Sequence, residues 1–431
     1  MLRISFVLIS LVSASPARAE IEVISKRLTV RYQGGATIDD GALDLSRATA
    51  VPEVRLGFGQ NWRADLAVRL EVADDGVGLG GVASYSDAAR PLIRSETIRL
   101  EIDAATLTYS GDAARLTLGK QSVPWGVLDG LRVADRFDAV RLRDFLLTDV
   151  RPDRLSRWGA RLETKVASIS VDLAAAFDPT VNQFAAPGDT FFPTASRFRG
   201  GLPLTASAPI LSSERDRYAA DGTYGARLSR RFGAARLAVL AFSGPETDPI
   251  LRAGSTEGGG FAVETVYPYR RVFAATADFA AGSTVWRVEA ASIPRQPVNV
   301  AGRSPLDDDR RPRNVAGVGV DWNAPGDVFV NAQIAVDHVD AGDTDLARPE
   351  TDVIGTLQLR RSFNQELGSV TIEYIGALND GDGLVRPRLR YRLTDQVEAS
   401  IGADLLFGPQ DGQFGQFRSE SRGWLRLALD L

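Results

Sequence analysis

The feature that most constrains the fold is an alternation of apolar and polar residues with a period of two, which runs through most of the chain. In residues 62–72, every second residue from Trp62 is apolar, whereas Arg63, Asp65 and Arg69 occupy intervening positions. Side chains along a β-strand point alternately to its two faces, so the pattern predicts strands with one apolar and one polar face. No helical pattern of comparable length interrupts the series.

The alternating runs come in pairs joined by short turns, such as Gly59-Gln60-Asn61 and Ala281-Gly282-Ser283. Glycine and asparagine tolerate the positive φ that tight hairpin turns require. Longer polar stretches, such as residues 74–95 and 179–217, separate one pair from the next. Tight turns that alternate with long loops are typical of outer-membrane β-barrels, in which the turns face the periplasm and the loops face outside.

The predicted strands number eighteen, an even number as single-chain bacterial barrels require. They span residues 24–34, 51–59, 61–73, 97–109, 113–122, 156–165, 167–178, 218–231, 234–244, 269–280, 283–293, 313–323, 327–338, 352–363, 367–378, 382–393, 396–407 and 419–431. Sixteen strands remain the main alternative, because the first two runs are weak. We therefore predict an all-β fold, a transmembrane antiparallel up-and-down β-barrel of about eighteen strands with an inward-folded loop.

A secreted soluble all-β protein, with the apolar faces buried between two sheets, is the other fold that this pattern allows. In the present chain, however, the polar faces carry charges of both signs along the full length of the strands. Such faces suit the water-filled lumen of a barrel better than the solvated side of a sandwich.

The N-terminus predicts export from the cytoplasm. Arg3 precedes the mostly apolar residues 4–12, and Ala17-Arg18-Ala19 matches an A-x-A cleavage site. These are the parts of a secretory signal peptide. We predict a cleaved signal peptide over residues 1–19 and an outer-membrane β-barrel over residues 20–431.

Composition narrows the function classes. The chain has no cysteine, which excludes disulfide scaffolds and cysteine-based metal or redox sites. Its one histidine, His338, lies at the end of a predicted strand beside Asp337 and Asp340, where a catalytic pairing is arithmetically possible. A rim histidine is far more often not catalytic, so we predict no enzymatic activity, no cofactor and no metal. The expected partners are outer-membrane lipid and solutes, not nucleic acid.

Four arginines spaced by two, from Arg386 to Arg392, share one face of one predicted strand. Near the bilayer midplane each guanidinium would cost about 2–4 kcal/mol in lipid, so this face must point into the lumen. The predicted pore-lining residues are Arg63, Arg69, Arg161, Arg360, Arg386, Arg388, Arg390, Arg392, Arg422, Arg426, Glu373, Glu398 and Asp404.

Two interpretations of this arginine ladder follow. Carboxylates of Glu373, Glu398 and Asp404 would pair with it and stiffen the wall, or unpaired guanidiniums would bind the carboxylate or phosphate of anionic solutes. The structural interpretation is favoured, because arginine outnumbers lysine throughout the chain and mixed charge is normal in barrel lumens.

Residues 123–156 combine interleaved arginines and aspartates with regularly placed apolar residues. A segment that mixes paired charges and apolar residues in this way is expected to pack against another part of the protein. We predict that it folds into the charged lumen as a constriction loop. The alternative is an ordered external loop that packs on the rim. The predicted constriction residues are Trp125, Asp129, Arg132, Asp135, Arg136, Arg141, Arg143 and Asp144.

The same region carries a motif that starts at a strand end. Its residues are Leu118, Gly119, Gln121, Trp125, Gly126, Asp129, Gly130, Asp135, Arg143, Phe145, Leu147 and Asp149. The motif resembles a proteobacterial family of porin-like outer-membrane barrels that is related to the alginate-export barrels. The resemblance implies an eighteen-stranded barrel and passive passage of solutes or polysaccharide.

Together these observations predict a porin-like channel of the bacterial outer membrane, which passes small hydrophilic or anionic solutes through a lumen lined by arginine, aspartate and glutamate. The alternative is a specialised exporter or binding barrel for an anionic polysaccharide, which would engage periplasmic partners.

Overall fold

The computed structural model describes residues 21–74, 79, 84–145, 153–202, 210–212, 219–256, 258–301 and 306–431. The predicted signal peptide and the motif residues Leu147 and Asp149 lie outside the described residues. Within those ranges, no helix is long and apolar enough to cross a membrane.

One sheet of nineteen strands forms the wall, and its smallest strand, Ile93–Arg94, is a two-residue addition beside Ile98–Ser110. The other eighteen are β1 (Ile21–Thr37), β2 (Leu43–Phe58), β3 (Trp62–Ala73), β4 (Ile98–Ser110), β5 (Ala114–Gln121), β6 (Arg157–Val166), β7 (Ile169–Ala176), β8 (Thr223–Phe232), β9 (Ala235–Pro245), β10 (Tyr269–Ala281), β11 (Thr284–Val300), β12 (Asp307–Ala324), β13 (Val328–Val339), β14 (Thr351–Phe363), β15 (Gly368–Ala377), β16 (Asp382–Arg392), β17 (Val397–Phe407) and β18 (Arg422–Asp430).

Each wall strand pairs antiparallel with its neighbour in the chain, and β1 also pairs with β18, from Thr29 opposite Asp430 to Thr37 opposite Arg422. This last pairing closes the sheet, and the predicted eighteen-strand antiparallel barrel is confirmed. The sixteen-strand alternative is wrong, because the two weak runs form β1 and β2, which are 17 and 16 residues long. Their glycines and charges obscure the alternation, but the two strands pair along most of their length, with register shifts between Val23 and Ser25 and between Gly35 and Ala36.

The two faces of the wall differ as the alternation predicts. On β17, Ile401 is 55% exposed, whereas Ser400 and Asp404, which share the opposite face, are buried. Aromatic residues such as Trp62 and Tyr109, whose ring centroids are 5.0 Å apart, lie beside the short turns. The outer face is therefore an apolar band with aromatic borders, which suits the hydrocarbon layer of a membrane.

We call the barrel end with the short turns the turn end and the other end the loop end. Two further three-stranded sheets connect the long loops at the loop end. They consist of Ala139–Leu142, Asp153–Leu155 and Gln183–Phe184, and of Ile210–Ser212, Ile250–Ser255 and Phe261–Val266. The first of these sheets ties the segment after β5 to the loop after β7.

An arginine placed on the outer face should be most costly halfway along a strand. We expect Ile401→Arg, in the middle of β17, to lower the free energy of unfolding from lipid vesicles by about 2–4 kcal/mol. Leu393→Arg is the matched control, because Leu393 is equally exposed but lies in a short turn, where the expected cost is about 0–1 kcal/mol. Urea unfolding followed by tryptophan fluorescence measures both, and equal costs would contradict the orientation of the wall.

Candidate functional site

The segment after β5 runs along the inner face of the barrel wall. Its apolar residues that pack there are Val123, Trp125, Leu128, Leu131, Val133, Ala134 and Phe137. They contact inward residues of six strands from β7 to β13, namely Ala174, Ala176, Leu240, Phe242, Val272, Ala274, Ala291, Ile293, Val315 and Ala335. One side of the barrel interior is thus an apolar core between segment and wall.

Trp125 is the largest side chain in this core and is only 1% exposed. Its indole Nε1 donates a hydrogen bond to Oδ2 of Asp172 on β7 at 2.8 Å, and its ring centroid lies 4.9 Å from that of Phe137. Gly225 of β8 makes room for the indole, since a Cβ there would lie 2.9 Å from the ring. The wall therefore fits this one tryptophan in both shape and hydrogen bonding.

The next turn of the segment packs closely against β12, where glycines again make room for a side chain. A Cβ on Gly317 or Gly319 would lie 2.7 or 2.9 Å from the methyl groups of Leu128. Because an added Cβ could fit only if Leu128 moved, the two glycines let the segment approach the wall closely.

Polar contacts hold the segment backbone to the same wall. The carboxylate of Glu289, on β11, accepts hydrogen bonds from the backbone N–H groups of Val127, Leu128 (2.8 Å) and Ala134 (2.7 Å). The N–H groups of the buried residues Leu128 and Ala134 would otherwise lack a partner, at a cost of about 1–3 kcal/mol each. Glu289 is therefore the main polar anchor on this side.

Gln333, on β13, adds a second polar anchor. Its amide side chain exchanges two hydrogen bonds with the backbone of Asp129, at 2.8 and 2.6 Å. Neither Glu289 nor Gln333 was among the predicted site residues. Both lie on polar faces of predicted strands, and this position indicated that they point inward. Local alternation does not indicate which of the inward residues contacts the segment.

The far end of the segment contacts a different part of the wall, formed by β2 and β3. Nη2 of Arg143 lies 2.9 Å from both carboxylate oxygens of Glu71, and Arg47 binds Asp144 at 2.6 Å. All four side chains are buried. Burial opposes ionisation of Asp144, but Arg47 and Arg143 outweigh it and hold the pKa of this carboxyl below its usual value.

Arg141 extends this contact to β4, where it pairs with the carboxylate of Glu101. It also lies 3.2 Å from Asp153, which in turn lies 3.3 Å from Arg69 of β3. Arg69 completes the group through Asp103 at 2.7 Å. The predicted wall residue Arg69 and the predicted segment residue Arg141 thus meet in one charged network.

The segment ends in an aromatic cluster at the loop end. The ring of Phe145 lies 5.3 Å from that of Phe414 and 5.0 Å from that of Phe417, and Phe417 lies 5.5 Å from Phe191. These rings pack with buried residues of β15, β16 and β17. Sequence reasoning did not identify this cluster, because its members come from three loops that are distant in the chain.

The arginine ladder of β16 is paired with carboxylates where it lies nearest the loop end. Arg386 is buried, and its Nε lies 2.8 Å from Asp404 on β17. The same carboxylate binds Arg422 of β18 at 3.2 Å, and Arg422 also lies 3.7 Å from Asp44. Asp404 is fully buried between the two guanidiniums.

Pairing weakens along the ladder towards the turn end. Arg388 lies 3.6 Å from Glu373, and Arg390, with a side chain that is 39% exposed, lies 3.3 Å from Glu398. Arg392 is exposed and occupies the register position opposite Glu398. These are the carboxylates that the structural interpretation names. Towards the turn end, however, the ladder arginines are exposed to solvent and are not enclosed with their partners.

The remaining predicted wall arginines are spread around the barrel. Arg63 binds Asp65 at 2.9 Å, Arg161 binds Asp172 at 2.7 Å, and Arg360 stacks 5.1 Å from the ring centre of Phe329. Arg426 donates to the side-chain oxygen of Gln33 at 3.0 Å. The hydrogen-bonded and ion-paired anchors of the segment therefore lie on other arcs of the wall than the ladder, and of its described residues only Phe145 packs beside β15 to β17.

Three further predicted segment residues interact mainly within the loop end. Arg132 donates to the backbone oxygens of Asp135 and Asp138, and Arg136 lies 3.7 Å from Asp337 of β13. The carboxylate of Asp135 binds Arg154. These contacts stabilise the turn of residues 132–138 and connect it to β13.

His338 lies near the loop end of β13, where its Nδ1 is 2.9 Å from the hydroxyl of Thr351. Across the ranges that the structure describes, no group of three or more histidine, aspartate or glutamate side chains is placed to hold a metal ion. The absence of enzymatic activity stays a prediction.

Removing the main anchor should release the segment. We expect Glu289→Ala to speed tryptic cleavage after the segment arginines at least tenfold, because two buried N–H groups lose their acceptor at about 1–3 kcal/mol each. The matched control is Glu398→Ala, which removes a wall glutamate whose ion-pair partner is Arg390. Equal cleavage of the two variants, timed by mass spectrometry, would contradict the anchoring role.

The segment should also respond to pH through Asp138. Burial raises the pKa of this carboxyl from 3.8 to about 6, although Arg157 opposes the shift. A raised pKa means that the folded segment favours the protonated form, so its stability is greatest below pH 4 and falls as the pH rises through about 6, by at most about 3 kcal/mol. Hydrogen exchange of the Val123 amide, which donates to this carboxylate, should report the change after correction for intrinsic rates. Asp138→Asn should abolish this pH-dependence of exchange. If the pH-dependence persists in the variant, the response does not come from Asp138.

Comparison with known proteins supports the fold alone. No protein-family model matches the chain, and no curated protein does. Among solved structures, OccAB4 of Acinetobacter baumannii matches with a TM-score of 0.50 and 11% identity, over 94% of this chain and 96% of that chain. OccK2 (OpdF) of Pseudomonas aeruginosa, in complex with glucuronate, matches with a TM-score of 0.50 and 11% identity, over 94% and 97%. The chain has the porin-like β-barrel fold of bacterial outer-membrane channels.

Proposed function

We propose that this chain is a bacterial outer-membrane channel for the passive passage of small hydrophilic solutes, with a preference for anions. The observation that carries the proposal is a closed barrel with a charged inner face, crossed by a segment that is anchored to two separate arcs of the wall. A segment held in this way would narrow the lumen to a path between charged groups, as a constriction loop does. Export through cleavage of residues 1–19 belongs to the same proposal.

The preference for anions follows from the charges on β15 to β18. The inward positions of these four strands carry six guanidiniums, those of the ladder with Arg422 and Arg426, and five carboxylates, those of Glu373, Asp382, Glu398, Asp404 and Asp430. Their exposed members lie towards the turn end, where water and salt reach them. An excess of guanidinium along one wall raises the local concentration of anions. We propose that this arc lines the solute path.

Small organic acids are the solutes that such a path would favour. OccK2, which shares the fold, was crystallised with glucuronate. A carboxylate on a small polar body would exchange between ladder guanidiniums by bidentate hydrogen bonds. Each contact would be weak enough for release, since solvent screens the exposed arginines.

The competing candidate is a specialised exporter or binding barrel for an anionic polysaccharide. The resemblance of residues 118–149 to relatives of the alginate-export barrels favours it, and so does the aromatic cluster of Phe145, Phe414 and Phe417 at the loop end. A closure built from packed rings would open only when a partner engages the barrel from the periplasm.

Conductance of the refolded protein in a planar bilayer separates the two candidates. Steady conductance without any partner, with a reversal potential in a salt gradient that indicates anion preference, supports the channel. A correctly folded barrel that stays silent would instead support the exporter, and cation preference would overturn the proposed role of the ladder.

Reversing two charges on the exposed part of the ladder should change selectivity. We expect Arg388→Glu with Arg390→Glu to shift the reversal potential towards cation preference, because two positive charges on the path become negative. The control double variant is Arg271→Glu with Arg361→Glu, which makes the same net change at two exposed positions of the outer face. A shift of the same size in both variants would show that the ladder lies off the path.

A further inference from the structure

A cavity of about 180 Å³ lies at the loop end, between the segment and the loops that follow β7 and β9. Its polar lining consists of Arg132, Arg136, Asn182, Thr247, Asp248 and Arg270. The volume is below the roughly 300–1,000 Å³ that is usual for pockets of drug-sized ligands. The cavity therefore fits one charged group and a few further atoms.

Arg270 is the most deeply buried of the three arginines that line this cavity. It is 3% exposed, and its Nη2 contacts Glu246 and the backbone oxygen of Arg136, both at 3.3 Å. In the part of the chain that the structure describes, Nε and Nη1 of Arg270 have no hydrogen-bond partner. Buried donors without acceptors are costly, so oxygens of a ligand would stabilise this arrangement.

The charge balance of the lining favours an anion. Three guanidiniums and one carboxylate line the cavity, and that carboxylate, Asp248, already accepts a hydrogen bond from Asn182 at 2.7 Å. Arg132 donates only to backbone oxygens, and no carboxylate among the described residues forms an ion pair with it. Glu246 and Asp337 offset part of the charge of Arg270 and Arg136, but Asp337 is also shared with Arg313 at 2.8 Å.

We propose that this cavity is a binding subsite for a small oxyanion, the carboxylate or phosphate group of a solute. Its oxygens would accept hydrogen bonds from Arg132 and, once the guanidinium shifts slightly into the cavity, from Nε and Nη1 of Arg270, and the amide of Asn182 and the hydroxyl of Thr247 would contact the polar remainder. The subsite lies on the loop-end side of the segment, apart from the β16 ladder. The inference rests on the proposed function, for which it supplies a capture site ahead of the constriction.

Calorimetric titration of the folded protein in detergent, in sodium chloride, tests the subsite with sodium acetate and inorganic phosphate as probes. We expect saturable binding of at least one probe at one site per chain, and Arg270→Gln or Arg132→Gln should raise its Kd at least tenfold. Arg236→Gln is the matched control, because Arg236 is another wall arginine but pairs with Asp278 towards the turn end. Acetate binding alone identifies a carboxylate subsite, and phosphate binding alone identifies a phosphate subsite.

Two further measurements separate the possible failures. Arg270→Lys keeps the positive charge and should retain part of the affinity, whereas a merely misfolded variant would bind nothing and lose the heat-dependent gel mobility of a folded barrel. Absence of saturable binding to the wild-type protein, or an unchanged Kd in folded Arg270→Gln, would overturn the subsite. A barrel that conducts chloride but binds neither probe refutes only the subsite, and one that binds phosphate but stays silent refutes only the channel.

Discussion

Hydrogen bonding of the strand backbone in lipid is the constraint on which the rest of the structure depends. The hydrocarbon layer offers no water, so an unpaired N–H or C=O group there costs several kcal/mol and an open sheet edge is excluded. Pairing of β1 with β18 removes the edge. Closure then assigns alternate residues of each strand to the lipid or to the barrel interior. As a result, the charged faces of all eighteen strands line the same interior.

What occupies that space is decided by apolar packing more than by charge. Burying two ions costs several kcal/mol each, so a buried pair such as Arg143 with Glu71 contributes little net stability compared with apolar residues of similar size. Burial of Trp125, Leu128 and Phe137 against the wall is unopposed by such a cost, and truncating a buried tryptophan typically loses about 3–5 kcal/mol. The apolar core therefore holds the segment in the barrel, and the ion pairs determine where its far end docks.

The wall could be predicted from the sequence because strand alternation is local. The positions of most strands and the inward direction of residues such as Arg386 follow from a period of two, whereas glycines and charges obscure it in the first two strands. The partners Glu398 and Asp404 were also predictable, since adjacent strands in a meander meet in register. Contacts across the interior were not, because the approach of Glu289 to the segment depends on the curvature of the closed wall and on glycines at positions 317 and 319. The aromatic cluster escaped prediction for the same reason.

The arginines range from buried and ion-paired to exposed, and under the proposed function this gradient would separate structural arginines from those that meet a solute. Arg143 and Arg386 are buried against carboxylates, so moving either one would leave an uncompensated charge in the interior. Arg390 is partly exposed and pairs at 3.3 Å, a geometry in which water and mobile ions compete with the carboxylate. A solute can exchange only with guanidiniums of the second kind or with a guanidinium that lines a cavity and keeps donors without a protein acceptor. The exposed ladder end and Arg270 meet these two conditions in different halves of the barrel, so an anion would encounter them in sequence rather than at one site.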